Sequence, residues 1–178
     1  MRIQSESTIQ HPRDVAFAAY RDRLPEIAAY IPDIREIIVQ AREEEGSVVS
    51  LHNEWFADTD IPKMVQSVVR PEMLRWDDFA SWDSERFVCS WNLRVGAFTE
   101  SVNCSGTNTF VAVGPTETRV ILAGDLTLDL SNVRGVPRFM ARKLGPQIER
   151  FIVAMITPNL EQVNQSLQAF LDAQTVGA

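Results

Sequence analysis

The sequence predicts an α+β fold, a curved antiparallel sheet of about seven strands wrapped around a long C-terminal helix, with two short helices after the first strand. Three observations predict it. From Gly135 to Ala173 apolar residues recur three and four apart, the spacing of one amphipathic helix. Most of the preceding chain instead alternates apolar and polar residues with the period of a half-buried strand. The strands are joined by short turns and not by crossover helices, so neighbours run antiparallel.

The elements follow in order. Residues 2 to 10 alternate, with Ile3, Ser5, Ser7 and Ile9 on one face. Pro12 and Asp14 open a helix reaching Tyr20, with Val15, Phe17, Ala18 and Ala19 as its apolar side, and a second short helix runs from Leu24 to just before Pro32. Strands at about 34 to 43 and 47 to 56 meet at Glu45 and Gly46, where glycine allows the positive φ of a hairpin turn. In DTDIPKMVQSVV the pattern breaks. Asp60 is placed to cap a short helix with Pro62 in its first turn and Met64, Val65, Val68 and Val69 for burial. Strands resume near 73 to 82, 86 to 94, 101 to 113 and 118 to 130. The closing helix starts around Pro137, buries a stripe from Leu144 to Leu171, and should bend at Pro158, which has no N–H for the carbonyl of Ala154.

At 178 residues with 45% hydrophobic and 23% charged residues, the chain is expected to fold as one domain over 1–178 without disulfide or metal. A formal charge of −7 argues against nucleic acid or anionic lipid as a general partner. Arg134, Arg138, Arg142 and Lys143 form one basic cluster at helical spacing, read as a solvated face. Cys89 and Cys104 are the two cysteines, with no CxxC and no Cys/His cluster, so neither a metal site nor a cofactor is expected. No signal pattern, lipidation motif or run of ~20 apolar residues is present. The expectation is a cytoplasmic protein with reduced thiols and no integral membrane association; oligomeric state stays open.

Alternation assigns each strand an inward face: Val49, Leu51, Asn53 and Trp55; Leu74, Trp76, Asp78, Ala80 and Trp82; Phe87, Cys89, Trp91 and Leu93; Val102, Cys104, Gly106, Asn108 and Phe110; Val120, Leu122, Gly124, Leu126 and Leu128. Gly106 and Gly124 are compatible with an internal cavity or with a sheet bent around the helix. Asn53, Asp78 and Asn108 are polar exceptions, and each needs a partner because an unpaired buried polar group costs ~1–3 kcal/mol. The pocket candidates are therefore Asn53, Trp55, Trp76, Asp78, Phe87, Cys89, Trp91, Cys104, Asn108 and Phe110 from the sheet, with Leu144, Ile148, Phe151 and Met155 from the helix.

The element order resembles the START-like helix-grip superfamily, which includes lipid-transfer proteins, plant pollen allergens, polyketide cyclases and coenzyme Q-binding proteins. The stretches IPKMVQSVV with MLRWDDFASWD, and GDLTLDLSNVRGVPRFMARKLGPQIERFI, look like a bacterial branch of it. The likeness spans nearly the whole chain. It implies an apolar pocket between sheet and helix; the matching motifs are structural and carry no known chemistry.

Chemistry narrows the rest. His11 and His52 are the only histidines; His11 sits at a strand end and His52 points outward if Trp55 points in, so neither is placed as a catalytic base. The favoured expectation is a non-catalytic protein that binds a lipid, polyketide, isoprenoid or similar hydrophobic small molecule. One alternative is an acid/base enzyme of cyclase or dehydratase type, with Asp78 as its actor or His52 after a register shift. The other is a protein-interaction module whose pocket has collapsed.

Overall fold

A computed structural model describes residues 1–67, 69–96, 100–129 and 138–176. Its strands are β1 (Arg2–Ile9), β2 (Ile34–Glu45), β3 (Val48–Ala57), β4 (Arg75–Asp83), β5 (Val88–Arg94), β6 (Val102–Gly114) and β7 (Glu117–Leu128); its helices are α1 (Arg13–Asp22), α2 (Leu24–Ile27) and α3 (Arg138–Val176). The strands form one antiparallel sheet in the order β1-β7-β6-β5-β4-β3-β2. The expected architecture is the observed one.

Buried residues alternate along β3, β4 and β5, and the buried set is the one that parity selects. Register holds because the irregularities fall elsewhere, in β2 and at the hairpin end of β6. From α3, Ile148, Ile152, Ile156, Val163 and Leu167 are buried, the helix packing chiefly on β1, α1 and α2. Side chains of that size each contribute ~1.5–3 kcal/mol when removed from water. Among the described residues no helix is long and apolar enough to cross a membrane.

Five local expectations change. Val15 faces solvent and Ala18 is half-buried; α1 buries Phe17 and Ala19 as expected, together with Ala16 and Tyr20, because its inward stripe is rotated toward Tyr20. The second short helix is a single α turn continued as a 3-10 turn over Ala28–Tyr30. Asp60 caps no helix: residues 63 to 67 are turns, held by Val65 N–H to Pro62 O at 2.9 Å and Val69 N–H to Val65 O at 2.8 Å. Val65 and Val69 are buried as expected, while Met64 is exposed. Phe87 precedes β5 in a left-handed conformation, φ 53°, closing the turn in which the Asp83 carboxylate accepts from the N–H groups of Glu85 and Arg86. Pro137, Val68, Arg134 and the side chains of Arg138 and Arg142 lie outside the described residues. α3 is continuous through Pro146 and Pro158.

Candidate functional site

Between the buried face of β3–β6, α1, α2 and the middle of α3 lies a cavity lined by Tyr20, Leu24, Trp55, Trp76, Asp78, Ala80, Trp82, Cys89, Trp91, Leu93, Asn108, Ile156, Asn159, Leu160 and Val163. The space open to the centre of a water molecule is ≈ 30 Å³, room for about two waters. Most of the wall is apolar, and Trp55 and Trp76 stack on each other with centroids 5.6 Å apart and planes 20° from parallel.

Six of the pocket candidates meet here: Trp55, Trp76, Asp78, Cys89, Trp91 and Asn108. Asn53 sits behind Asp78, its Nδ2 donating to Asp78 Oδ2 at 3.2 Å. Cys104 is buried in the sheet away from the lining, and Phe110 belongs to a cluster of aromatic edges with Phe17, Tyr20 and Trp82. Phe87 is not in the wall either; it packs on Phe17, with the Arg13 guanidinium 3.8 Å from its ring centre. Leu144, Ile148, Phe151 and Met155 lie before the stretch of α3 that reaches the cavity, which starts at Ile156.

The lining residues from α1, α2 and α3 were not singled out from the sequence. Asn159 carried a signal, being a polar residue beside Pro158 on an apolar stripe; its Nδ2 donates to Met155 O at 2.6 Å. Tyr20 carried less, since a tyrosine ending a short amphipathic helix fits any core.

The glycine pair has a definite answer. Gly106 and Gly124 face each other across β6 and β7. A Cβ on Gly106 would stand 2.5 Å from the Trp91 ring, and one on Gly124 would stand 2.8 Å from it. The two glycines make room for the Trp91 indole, not for empty space. Trp91 Nε1 donates to Asn108 Oδ1 at 3.1 Å, and Asn108 Nδ2 reaches the Tyr20 hydroxyl at 3.5 Å.

Asp78 is the chemically unusual member. It is 7% exposed, and its Oδ1 has no donor. Burial pushes its carboxyl up to about 6, against the opposing pull of Asn53, of the nearby Trp55 indole and of His52 across the sheet. The Trp55 Nε1–H still lacks an acceptor at hydrogen-bonding geometry, as does Trp82 Nε1–H. Burial likewise holds the Tyr20 hydroxyl and the Cys89 thiol well above their usual ranges, which keeps both neutral. Cys89 is thus no activated nucleophile. His52 lies on the outer face, bonded to Asp77 at 2.7 Å and stacked on Phe79. His11 pairs with Asp172 at 2.9 Å, remote from the cavity.

No protein-family model matches the sequence, and no curated protein matches it. Solved structures do. TTHA0849 from Thermus thermophilus is similar with a TM-score of 0.62 at 20% identity, over 95% of this chain and 98% of that one. The Zhui aromatase/cyclase from Streptomyces gives 0.55 at 18% identity over 95% and 96%, and norcoclaurine synthase from Thalictrum flavum 0.56 at 13% over 96% and 86%. The chain has the helix-grip fold of the START and Bet v1-like proteins.

Proposed function

We propose that this protein, acting as one domain over residues 1–178, binds a hydrophobic small molecule in the cavity between sheet and α3. The observation that carries the reading is an apolar cavity walled by four tryptophans, into which Asp78 presents an unpartnered carboxylate oxygen. A core built only for stability gains nothing from such an oxygen, and a ligand can satisfy it. Two of the structural neighbours are, by name, an aromatase/cyclase and a synthase, which supports small-molecule binding in this fold. With room for about two waters, the cavity must widen on binding, and the half-buried Leu160 of α3 is the lining side chain with freedom to move. Buried free thiols at Cys89 and Cys104 fit a reducing compartment, so the cytoplasm is the proposed location.

Native mass spectrometry of the purified protein tests this reading, with denaturing extraction to identify what co-purified. A stoichiometric apolar molecule is the expected result, and Leu160→Trp, which fills the mouth, should lose it. A ligand retained by Leu160→Trp places the binding site elsewhere; a clean mass for the wild type points to the interaction module with a collapsed pocket.

A second reading, acid/base catalysis on the bound molecule, is favoured by one observation, the Asp78 carboxyl held near neutrality inside the cavity. Turnover of the extracted molecule that disappears in Asp78→Asn would carry it.

A further inference from the structure

We propose that the molecule taken up by this cavity is an amine: a ring-bearing, apolar body whose protonated nitrogen pairs with Asp78 Oδ1 beside the tryptophan wall. The inference rests on the binding reading above and names the ligand's chemical class.

Three features of the site converge on it. First, among the described residues Asp78 is the one acidic residue of the lining, and no Lys, Arg or His stands with it. Its other oxygen is taken by Asn53 Nδ2, a neutral donor, so the carboxylate has hydrogen-bond support but, among the described residues lining the cavity, no counter-charge. Breaking a buried ion pair by leaving one charge alone is costly, and a ligand that brings the missing cation removes that cost. Second, Trp55, Trp76, Trp82 and Trp91 all reach the cavity, and indole faces attract cations. Third, among the described residues Oδ1 has no donor at hydrogen-bonding geometry; the nearby Trp55 Nε1–H falls short of it and brings no charge. A protonated amine supplies N–H and charge together, which a quaternary ammonium or a neutral hydroxyl does not. The unpaired Trp82 Nε1–H is a separate donor that an oxygen elsewhere on the ligand would satisfy.

The charge state is suitable. With its carboxyl at about 6, Asp78 is mostly ionised at pH 7.5 and mostly neutral at pH 5. The other titratable groups whose fields couple to it are Tyr20 from α1, Cys89 from β5 and Cys104 from β6, all held neutral over this interval by pKa values raised through burial, and His52 from β3, which acts through the sheet. From α3, Ile156, Asn159, Leu160 and Val163 bring no titratable group.

The test uses three probes that share one apolar body and differ in charge: phenethylamine, phenethyl alcohol and phenylacetate. Each is titrated into isotopically labelled full-length protein while the indole N–H resonances are followed by NMR, which reads millimolar affinities. The expected result is binding of the amine about tenfold or more tighter than the alcohol, with phenylacetate weakest. In Asp78→Asn the amine should lose that advantage while the alcohol keeps its affinity. Should that variant fail to fold, the pH profile of the wild type decides: amine affinity should fall about tenfold between pH 7.5 and 5 with alcohol affinity flat. Equal affinities for amine and alcohol, or an amine preference that survives Asp78→Asn, would overturn the amine and leave small-molecule binding standing. If none of the three probes binds, the amine is overturned; a co-purified neutral ligand in the native mass spectrum would then keep the broader reading alive, and an empty spectrum would end both.

Discussion

Asp77 and Asp78 are adjacent in sequence and occupy opposite worlds. Strand parity sends Asp77 to the outer face, where it bonds His52, and Asp78 into the cavity. The consequence is a pH dependence with a definite sign. An unfolded Asp carboxyl titrates near ~3.9, and the folded one at about 6, so the folded state holds the extra proton in between. Stability is therefore lost as pH rises through that window, by about 3 kcal/mol once Asp78 is fully ionised. Urea unfolding of wild type and Asp78→Asn from pH 4 to 8 should show equal stabilities at the acid end and a more stable variant above pH 7. A difference that does not change with pH would mean that Asp78 ionises as an ordinary surface carboxyl. At this scale the sequence was legible wherever alternation was unbroken: the inward sets around Trp55, Trp82 and Trp91 follow from period two alone. Phe87 was not, because one left-handed residue ends the extended run and no pattern of apolar residues announces it. Nor could alternation foresee that the space at Gly106 of β6 and Gly124 of β7 is filled by the Trp91 indole of β5.

Among the elements, α3 was legible as a helix and illegible as a wall. Its stripe predicts burial over many turns, yet among the described residues the cavity touches only Ile156, Asn159, Leu160 and Val163 of it. Where a helix meets a cavity depends on how the sheet curves away from it, which is a property of the partner. Pro158 lies inside that stretch. It leaves the Ala154 carbonyl without its backbone donor, on the exposed side of the helix, where water can serve it. Pro158→Ala restores the bond and should raise stability by ~1–3 kcal/mol in thermal or urea unfolding. If the proline is what lets this turn of α3 give way, ligand association in stopped flow should slow in the same variant. Greater stability with unchanged association would move the opening to another element. The turns at 63 to 67 show the opposite failure: apolar spacing and a good cap residue suggested a helix, but a segment this short lacks the propagation that stabilises one.

For the molecule as a whole, the sheet joins the ends of the strand order that sequence keeps apart. β1 pairs along its length with β7, Arg2 opposite Asp125 through Ile9 opposite Thr118. It also supports α3, through Ser7 Oγ, which accepts from Asn164 Nδ2 at 3.3 Å. Removing residues 1–9 should therefore cost more than a frayed terminus would: Ile3 and Ile9 leave the core, and β7 becomes an open edge. The expected outcome is loss of the cooperative thermal transition; a truncated protein that melts as the wild type does would show that β1 is dispensable. The overall layout was readable because every connection after β2 is a hairpin or a short excursion, while the closure by β1 was implied only through the resemblance of the whole element order.

That closure also sets a timetable for synthesis. The first strand leaves the ribosome long before β7 exists, and at ~5–20 residues per second it waits on the order of ten seconds for its partner. The tryptophan-bearing face waits in turn until α3 emerges to cover it. During that interval the nascent chain presents its most adhesive surface uncovered, so the sheet completes its core only after α3 has been made.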